Sequence, residues 1–285
     1  MSRDILDSFE LSGTVAVITG GGGELCGAMA TALGSMGVKV AILDVNLSSA
    51  ERVVRQIEEA GGQALALSCS VLEAQNLREC YHKVCRTWGT VDLLITGAGG
   101  NDPRATTSEE FLEPTKNMAQ PDGKSLFDLD LEGFRHVFDL NFLGTFLTIQ
   151  AFSQAMVQQG SGSIVTISSM SAHTPLTKVA AYSAAKAAVS NFTQWLAVHF
   201  ARTGVRVNAI APGFFMTEQL RFLHVDQQSG KLSARAQKVI AHTPLGRYGV
   251  PEDLLGTLVW LLSDASKFVT GIIVPVDGGF SAYSI

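Results

Sequence analysis

Cysteine is sparse in this chain, four in 285 residues, and Cys26, Cys69, Cys80 and Cys85 fall in predicted strand or helix positions without the spacing of a zinc site. Reduced, packed thiols are expected, with no disulfide and no structural metal. Charge is sparse too, at 16% of residues with a net charge of -5, and no basic run or stripe is present to neutralise phosphates. That excludes nucleic acid and an anionic membrane surface as partners. No apolar run approaches the ~18 residues of a membrane span, and the first seven residues lack the apolar centre of a signal peptide, so a cytoplasmic protein is expected. Internal repeats, low-complexity tracts and linkers rich in Pro, Gly or Ser are absent as well. One domain over residues 1–285 is therefore expected, with a core large enough to fold without disulfide or metal.

What the chain does have is short apolar runs. Residues 15–18, 38–43, 64–67, 91–95, 164–167, 205–210 and 272–276 read as strands buried on both faces, which is how parallel strands look. Between them, residues 28–36, 50–60, 72–87, 131–158 and 180–202 carry apolar side chains at helical spacings of three and four. The alternation predicts an α/β fold, a doubly wound parallel sheet with helices on both faces. Two stretches break it: residues 99–130 after the fourth strand and 214–243 after the sixth. Both are expected outside the carboxyl ends of their strands, where open α/β sheets bind ligands, as insertions that shape a substrate pocket. Their aromatic content, with Phe111, Phe127, Phe214 and Phe215, predicts packed loops.

The first strand runs into Thr19-Gly20-Gly21-Gly22-Gly23 and then a helix. Consecutive glycines let the backbone approach a pyrophosphate, and the helix N-terminus offers unpaired N–H groups to its charge; the same run equally suits a tight turn without a ligand. Asp44 ends the second strand, where a carboxylate accepts hydrogen bonds from ribose hydroxyls and repels a 2′-phosphate. With no Arg or Lys in the glycine turn to offset that repulsion, NAD(H) is expected over NADP(H). Asn46 and Ser48 are better placed than Asp44 to cap the next helix. Farther on, Tyr182 and Lys186 stand four residues apart in an alanine-rich stretch, so a helix puts phenol and ammonium on one face. A lysine there stabilises the phenolate and makes the pair a proton-transfer site, although the spacing alone also describes an ordinary surface pair. Ser169 ends the β-rich run before the tyrosine and can face that helix.

In their order, these motifs resemble those of the short-chain dehydrogenase/reductase family across nearly the whole chain. They are Thr19-Gly20, Gly97-Ala98-Gly99 after the fourth strand, Asn141 in Asp139-Leu140-Asn141-Phe142-Leu143-Gly144, then Ser169, Tyr182, Lys186, Pro212-Gly213 and Val276-Asp277-Gly278-Gly279. The resemblance implies a Rossmann-like fold and a catalytic tetrad of Asn141, Ser169, Tyr182 and Lys186, with Asn141 holding a water that links the lysine to solvent. It assigns cofactor binding to Gly20, Gly22, Gly23, Glu24, Leu25, Asp44, Ser70, Val71, Gly97, Ala98, Gly99, Tyr182, Lys186, Pro212, Gly213, Phe215 and Thr217, the last at the nicotinamide amide. Three positions depart from the family pattern. Glu24 and Cys26 replace the last two glycines of its nucleotide turn, and Ser70 stands where an aspartate often contacts adenine. A carboxylate at position 24 costs binding energy near a pyrophosphate unless it points away.

A narrower likeness, in residues 99–107, 175–179, 211–219, 241–244 and 280–284, resembles the D-mannonate oxidoreductase (fructuronate reductase) branch of that family. It implies NAD(H)-dependent interconversion of D-mannonate and D-fructuronate. A dehydrogenase of another polyol or a gluconate-type sugar acid is the alternative, and a non-catalytic NAD-binding regulator a further one. A sugar acid needs a cation for its carboxylate and polar donors for its hydroxyls. Arg104 and Lys178 are the candidate cations, with Asn101, His173 and Ser169 as hydrogen-bonding partners. The family's habit of assembly implies a homotetramer or homodimer formed through the helices of residues 131–158 and 180–202.

Overall fold

Seven short aliphatic runs become β1 (Val15–Thr19), β2 (Lys39–Asp44), β3 (Gln63–Ser68), β4 (Leu93–Thr96), β5 (Gly162–Ile167), β6 (Val205–Pro212) and β7 (Ile273–Val276). The structure is a computed structural model and describes residues 4–112, 123–218, 221 and 231–284. All seven strands pair in parallel in the order β3-β2-β1-β4-β5-β6-β7, with Ile18 of β1 opposite both Ile42 and Ile95. Parallel neighbours cannot be joined by tight turns, so crossovers must carry the chain back along the sheet. The helices are α1 (Glu24–Ser35), α2 (Leu47–Glu59), α3 (Ala74–Trp88), α4 (Leu131–Phe138), α5 (Gly144–Gln159), α6 (Ala180–His199), α7 (Ala234–Ala241) and α8 (Leu255–Leu262).

Successive strand side chains point to opposite faces, and both faces are covered. Ala16 and Ile18 pack with Met29, Leu33, Val53 and Leu258 under α1, α2 and α8, whereas Val15 and Val17 pack with Leu77, Phe152, Met156 and Leu196 from α3, α5 and α6. The outer strands β3 and β7 depart from the expected two-sided burial, because each has a neighbour on one edge alone. Helix α1 also starts earlier than its apolar spacing suggests: Gly23 is extended and takes the N-cap position, so the helix begins at Glu24. Gly27 then lets α1 lie close to α2, since a Cβ there would sit 3.2 Å from Val53 Cγ2.

From β1 the chain moves out to β2 and β3, then returns to β4 on the other side of β1. That reversal opens a crevice at the carboxyl ends of β1 and β4. Both insertions leave this edge of the sheet, after β4 and β6; their residues 113–122, 219–220 and 222–230 lie outside the described residues. In the second insertion Phe215 is buried, and Phe214 meets Tyr248 and Phe280 edge to face with ring centres 6.3 and 5.3 Å apart. In the first insertion Ala105 is buried with Val137 and Ala181, but the aromatic side chains expected to pack it do not, Phe111 and Phe127 staying 76% and 74% exposed. Polar bonds order it instead: Ser125 and Asp128 form a capping box, and Lys124 N–H donates to Ser108 Oγ at 2.9 Å.

Cys26, Cys69 and Cys80 are buried, Cys85 is partly buried, and all four are free thiols. Among the described residues no helix is long and apolar enough to cross a membrane, and no group of His, Cys, Asp and Glu is arranged to hold a metal ion.

Candidate active site

Small hydroxyls fasten α6 to the end of β5. Ser168 Oγ donates to the Lys186 carbonyl at 3.1 Å and bonds Ser190 Oγ at 2.6 Å, and Thr166 bonds Thr193 Oγ1 at 2.7 Å. Held this way, the first turns of α6 present Tyr182 and Lys186 on one face. Ser169 Oγ accepts from the N–H and the hydroxyl of Ser171 at 3.1 and 3.0 Å, which leaves its own O–H to donate to the Tyr182 phenol. Lys186 is buried; its Nζ donates to the Ile167 carbonyl at 2.7 Å and lies 5.7 Å from the centre of the Tyr182 ring.

Burial pushes the Tyr182 phenol up, against the opposing hydrogen bond from Ser169. It also pushes the Lys186 ammonium down to about 8, with the Cys26 thiol countering it. Desolvation thus drives both groups toward their neutral forms. Against that desolvation, the Lys186 ammonium beside the Tyr182 ring is the nearby charge that favours the phenolate when the phenol gives up its proton.

Helices α4 and α5 run on through a π turn, Asp139–Leu143, in which Gly144 N–H bonds the Asp139 carbonyl. The turn aims Asn141, fully buried, at the end of β4. Its Nδ2 donates to the Gly100 and Val137 carbonyls at 2.7 and 2.8 Å, and its Oδ1 accepts from Gly100 N–H at 3.2 Å. A Cβ on Gly99 would lie 2.6 Å from Asn141 Oδ1 and 3.3 Å from Lys186 Nζ, so glycine lets the backbone pass between them. With Gly100 bonded to both ends of its amide, the Asn141 side chain clamps Gly100 beside the end of β4.

Where β1 and β4 part, a cavity of about 440 Å³ opens. Its walls include Gly20, Gly23, Glu24, Leu25, Asp44, Val71, Gly97, Ala98, Gly99 and Thr217, all expected from the sequence, together with Cys26, Val45, Cys69 and Leu140. Thr19 Oγ1 accepts from Gly97 and Ala98 N–H at 3.1 and 3.3 Å and joins the two strand ends. Asp44 accepts from Gly22 N–H at 3.0 Å and Asn46 N–H at 2.9 Å, which fixes its carboxylate on the cavity wall with lone pairs to spare. The helix-capping task falls to Asn46, whose Oδ1 accepts from Ser49 N–H at 3.2 Å.

A cation does reach the glycine turn, because Arg52 of α2 donates to the Gly22 carbonyl at 3.0 Å. Glu24 Oε2 accepts from Glu218 N–H at 2.7 Å, toward the second insertion. Cys26 fits because its neighbour is a glycine: a Cβ on Gly97 would overlap its Sγ, and burial pushes the thiol up to about 12. Gly22 and Ser70 do not line the cavity; Ser70 N–H is taken by Asn76 Oδ1 at 2.8 Å. Pro212 and Gly213 end β6 against Val276 and Asp277, and the Phe215 ring is buried against Gly249.

A family model described as enoyl-(acyl carrier protein) reductase, short-chain dehydrogenase in type, matches residues 25–281. The chain belongs to the short-chain dehydrogenase/reductase family. An uncharacterized oxidoreductase of Bacillus subtilis (strain 168), UxuB, is 52% identical over 275 residues, 96% of this chain and 97% of its own. A structure solved as a candidate D-mannonate oxidoreductase from Haemophilus influenza, with bound NAD, is 45% identical and superposes with a TM-score of 0.93 over 99% of both chains. A 2-dehydro-3-deoxy-D-gluconate 5-dehydrogenase of Dickeya dadantii (strain 3937) is 31% identical over 98% of this chain and 99% of its own. The Haemophilus structure holds NAD, and the cavity of this chain suits a dinucleotide of that kind. Gly23 has only the Gly20 carbonyl within reach of a Cβ, at 3.3 Å, which leaves room for a pyrophosphate at the start of α1, and Asp44 offers acceptors for ribose hydroxyls.

The candidate substrate residues of the dehydrogenase are mostly engaged with protein partners. Arg104 forms a fork with Asp102, at 2.7 Å for Nη2, lies 3.7 Å from Asp130, and holds the Asp102 carboxyl down to about 2. Asn101 Nδ2 donates to Thr106 Oγ1 at 2.9 Å, and His173 is exposed. Lys178 Nζ donates to the Ser108 carbonyl, while its own carbonyl accepts from Thr107 N–H at 3.0 Å. Among the described residues Lys178 is the one non-glycine with positive φ, at 75°. Glu110 pairs with Arg235 at 3.7 Å and Lys238 at 3.2 Å on α7, joining the two insertions. Ser171, Arg52 and Glu110 gave no sequence signal, because each acts through a contact that only the fold brings together.

Proposed function

We propose that this dehydrogenase interconverts D-mannonate and D-fructuronate, a secondary alcohol and a ketone of one sugar acid, with NAD(H). The observation that carries the reading is the likeness to the NAD-bound Haemophilus structure over 99% of both chains. NAD(H), when bound, supplies or removes the hydride. In reduction Tyr182 gives its proton to the forming alkoxide oxygen, and Ser169 turns its O–H from the phenol to that oxygen. Lys186 contacts the cofactor and keeps positive charge within reach of the phenolate left behind; Asn141 holds Gly100 in place beside it. Proton transfer by groups so positioned contributes roughly 10²- to 10⁴-fold. Lys178 receives the substrate carboxylate, because its ammonium rests on a neutral carbonyl whereas Arg104 is already neutralised by Asp102.

A second reading, oxidoreduction of a gluconate-type acid, is favoured by the Dickeya relative. NADH oxidation with D-fructuronate, beside D-tagaturonate, 5-keto-D-gluconate and fructose and with NADPH in parallel, separates the two. Turnover concentrated on fructuronate with NADH supports the mannonate assignment. Activity on 5-keto-D-gluconate in its place discards that assignment and leaves the proton relay standing. Assembly as a homotetramer or homodimer is part of the same reading, supported by Leu143, Trp195 and Val198, which are 39%, 56% and 78% exposed on the long helices.

A further inference from the structure

Glu24 opens α1 and faces the cofactor cavity, at a position where the family motif carries glycine. Its carboxylate accepts the backbone N–H of Glu218 at 2.7 Å, a bond between the nucleotide turn and the start of the second insertion. Beside it, the Thr217 carbonyl accepts from Arg221 N–H at 2.7 Å. Thr217, the adjoining residue, lines the same cavity as Glu24. A glycine at position 24 has no side chain with which to make the bond.

The geometry points to Glu24 as a positioning residue that straps Thr217 and Glu218 over the cofactor cavity and thereby slows the release of NAD(H). A charged acceptor makes this a short, strong bond of its kind. It also accounts for a carboxylate beside a pyrophosphate site, since the group is drawn to an N–H donor on the second insertion. The inference rests on NAD(H) binding and not on the identity of the substrate.

Stopped-flow fluorescence of NADH release from the full-length protein, without substrate, tests it. Glu24→Ala is expected to release NADH about tenfold faster than the wild type, the size of effect for one hydrogen bond to a charged group. Glu24→Gln, whose amide oxygen still accepts, is expected within about twofold of the wild type because it keeps the bond. Glu218→Pro deletes the donated N–H with Glu24 in place and should match Glu24→Ala. Hydrogen exchange on the cofactor-free protein gives an independent reading, with the Glu218 amide exchanging faster in Glu24→Ala than in the wild type or Glu24→Gln. Release that is unchanged or slower in Glu24→Ala overturns the strap, as does a Glu24→Gln protein as fast as Glu24→Ala, which would mean that charge and not the bond is at work.

Discussion

At Lys178 the backbone takes a φ of 75°, a conformation that costs an L side chain roughly 1 kcal/mol or more. Glycine relieves the strain but removes the ammonium, so Lys178→Gly separates stability from function. We expect it to be more stable to urea than Lys178→Ala by roughly 1 kcal/mol. Both variants should raise KM for D-fructuronate about tenfold or more while sparing any turnover of fructose, and Arg104→Ala should do so by less than about twofold. Equal effects at the two positions in steady-state kinetics would sink the Lys178 assignment. Lys186 shows a different tension. Folding lowers its pKa from 10.5 to about 8, so between those values the unfolded chain binds a proton that the folded chain does not. Stability should therefore rise with pH from about 8 toward 10, by up to about 3 kcal/mol, and the rise should vanish in Lys186→Met. Above pH 10 the raised phenol of Tyr182 acts the other way, because the folded state then keeps a proton that the unfolded state has lost. The spacing of Tyr182 and Lys186 was legible in the sequence; burial, which sets their titration, was not.

The turn between β1 and α1 is an element whose identity could be read locally and whose company could not. Gly20 takes φ 66°, and a Cβ there would meet the Ala98 backbone at 2.9 Å, so the glycine run and Gly97-Ala98-Gly99 are coupled by close approach. Arg52 arrives from α2, and its presence depends on how α2 packs, which no motif encodes. That contact changes what Asp44 decides. Asp44→Ser removes the carboxylate that repels a 2′-phosphate and leaves the Arg52 guanidinium at the turn to receive it. NADH-dependent kcat/KM should fall about tenfold and NADPH-dependent kcat/KM should rise by a similar factor, on the order of one charge-assisted contact. Adding Arg52→Ala should cancel the NADPH gain without restoring NADH. An NADPH gain that survives the loss of Arg52 would show that repulsion by Asp44 alone sets the preference. The π turn at Asn141 teaches the same limit, because the motif marked the residue and only the fold disclosed that Gly100 takes both ends of its amide.

For the molecule as a whole, the parallel sheet was legible because central strands buried on both faces leave an unbroken apolar run between helical crossovers. Apolar content misled in the first insertion, where Phe111 and Phe127 face outward, since composition does not say which surface a side chain will meet. The same ambiguity attends α6. Its face carries a ladder of rings, Phe192 stacked on Trp195 at 5.9 Å and Trp195 on His199 at 4.7 Å, with Phe142 set edge-on to Phe192 at 5.8 Å. Trp195 and Val198 nonetheless remain 56% and 78% exposed in the single chain. Trp195 and Val198, exposed at the end of an aromatic row on a long helix, are the surface that a second copy would cover. Light scattering should therefore give a dimer or tetramer at micromolar concentration. Trp195→Glu should shift the protein toward smaller species, because a carboxylate buried across such a face without a partner costs several kcal/mol. The substitution lies outside the cofactor cavity, so NADH binding by the smaller species should persist. A wild-type monomer at tens of micromolar, or a Trp195→Glu protein of unchanged mass, would remove α6 from the assembly and leave its exposed rings unexplained.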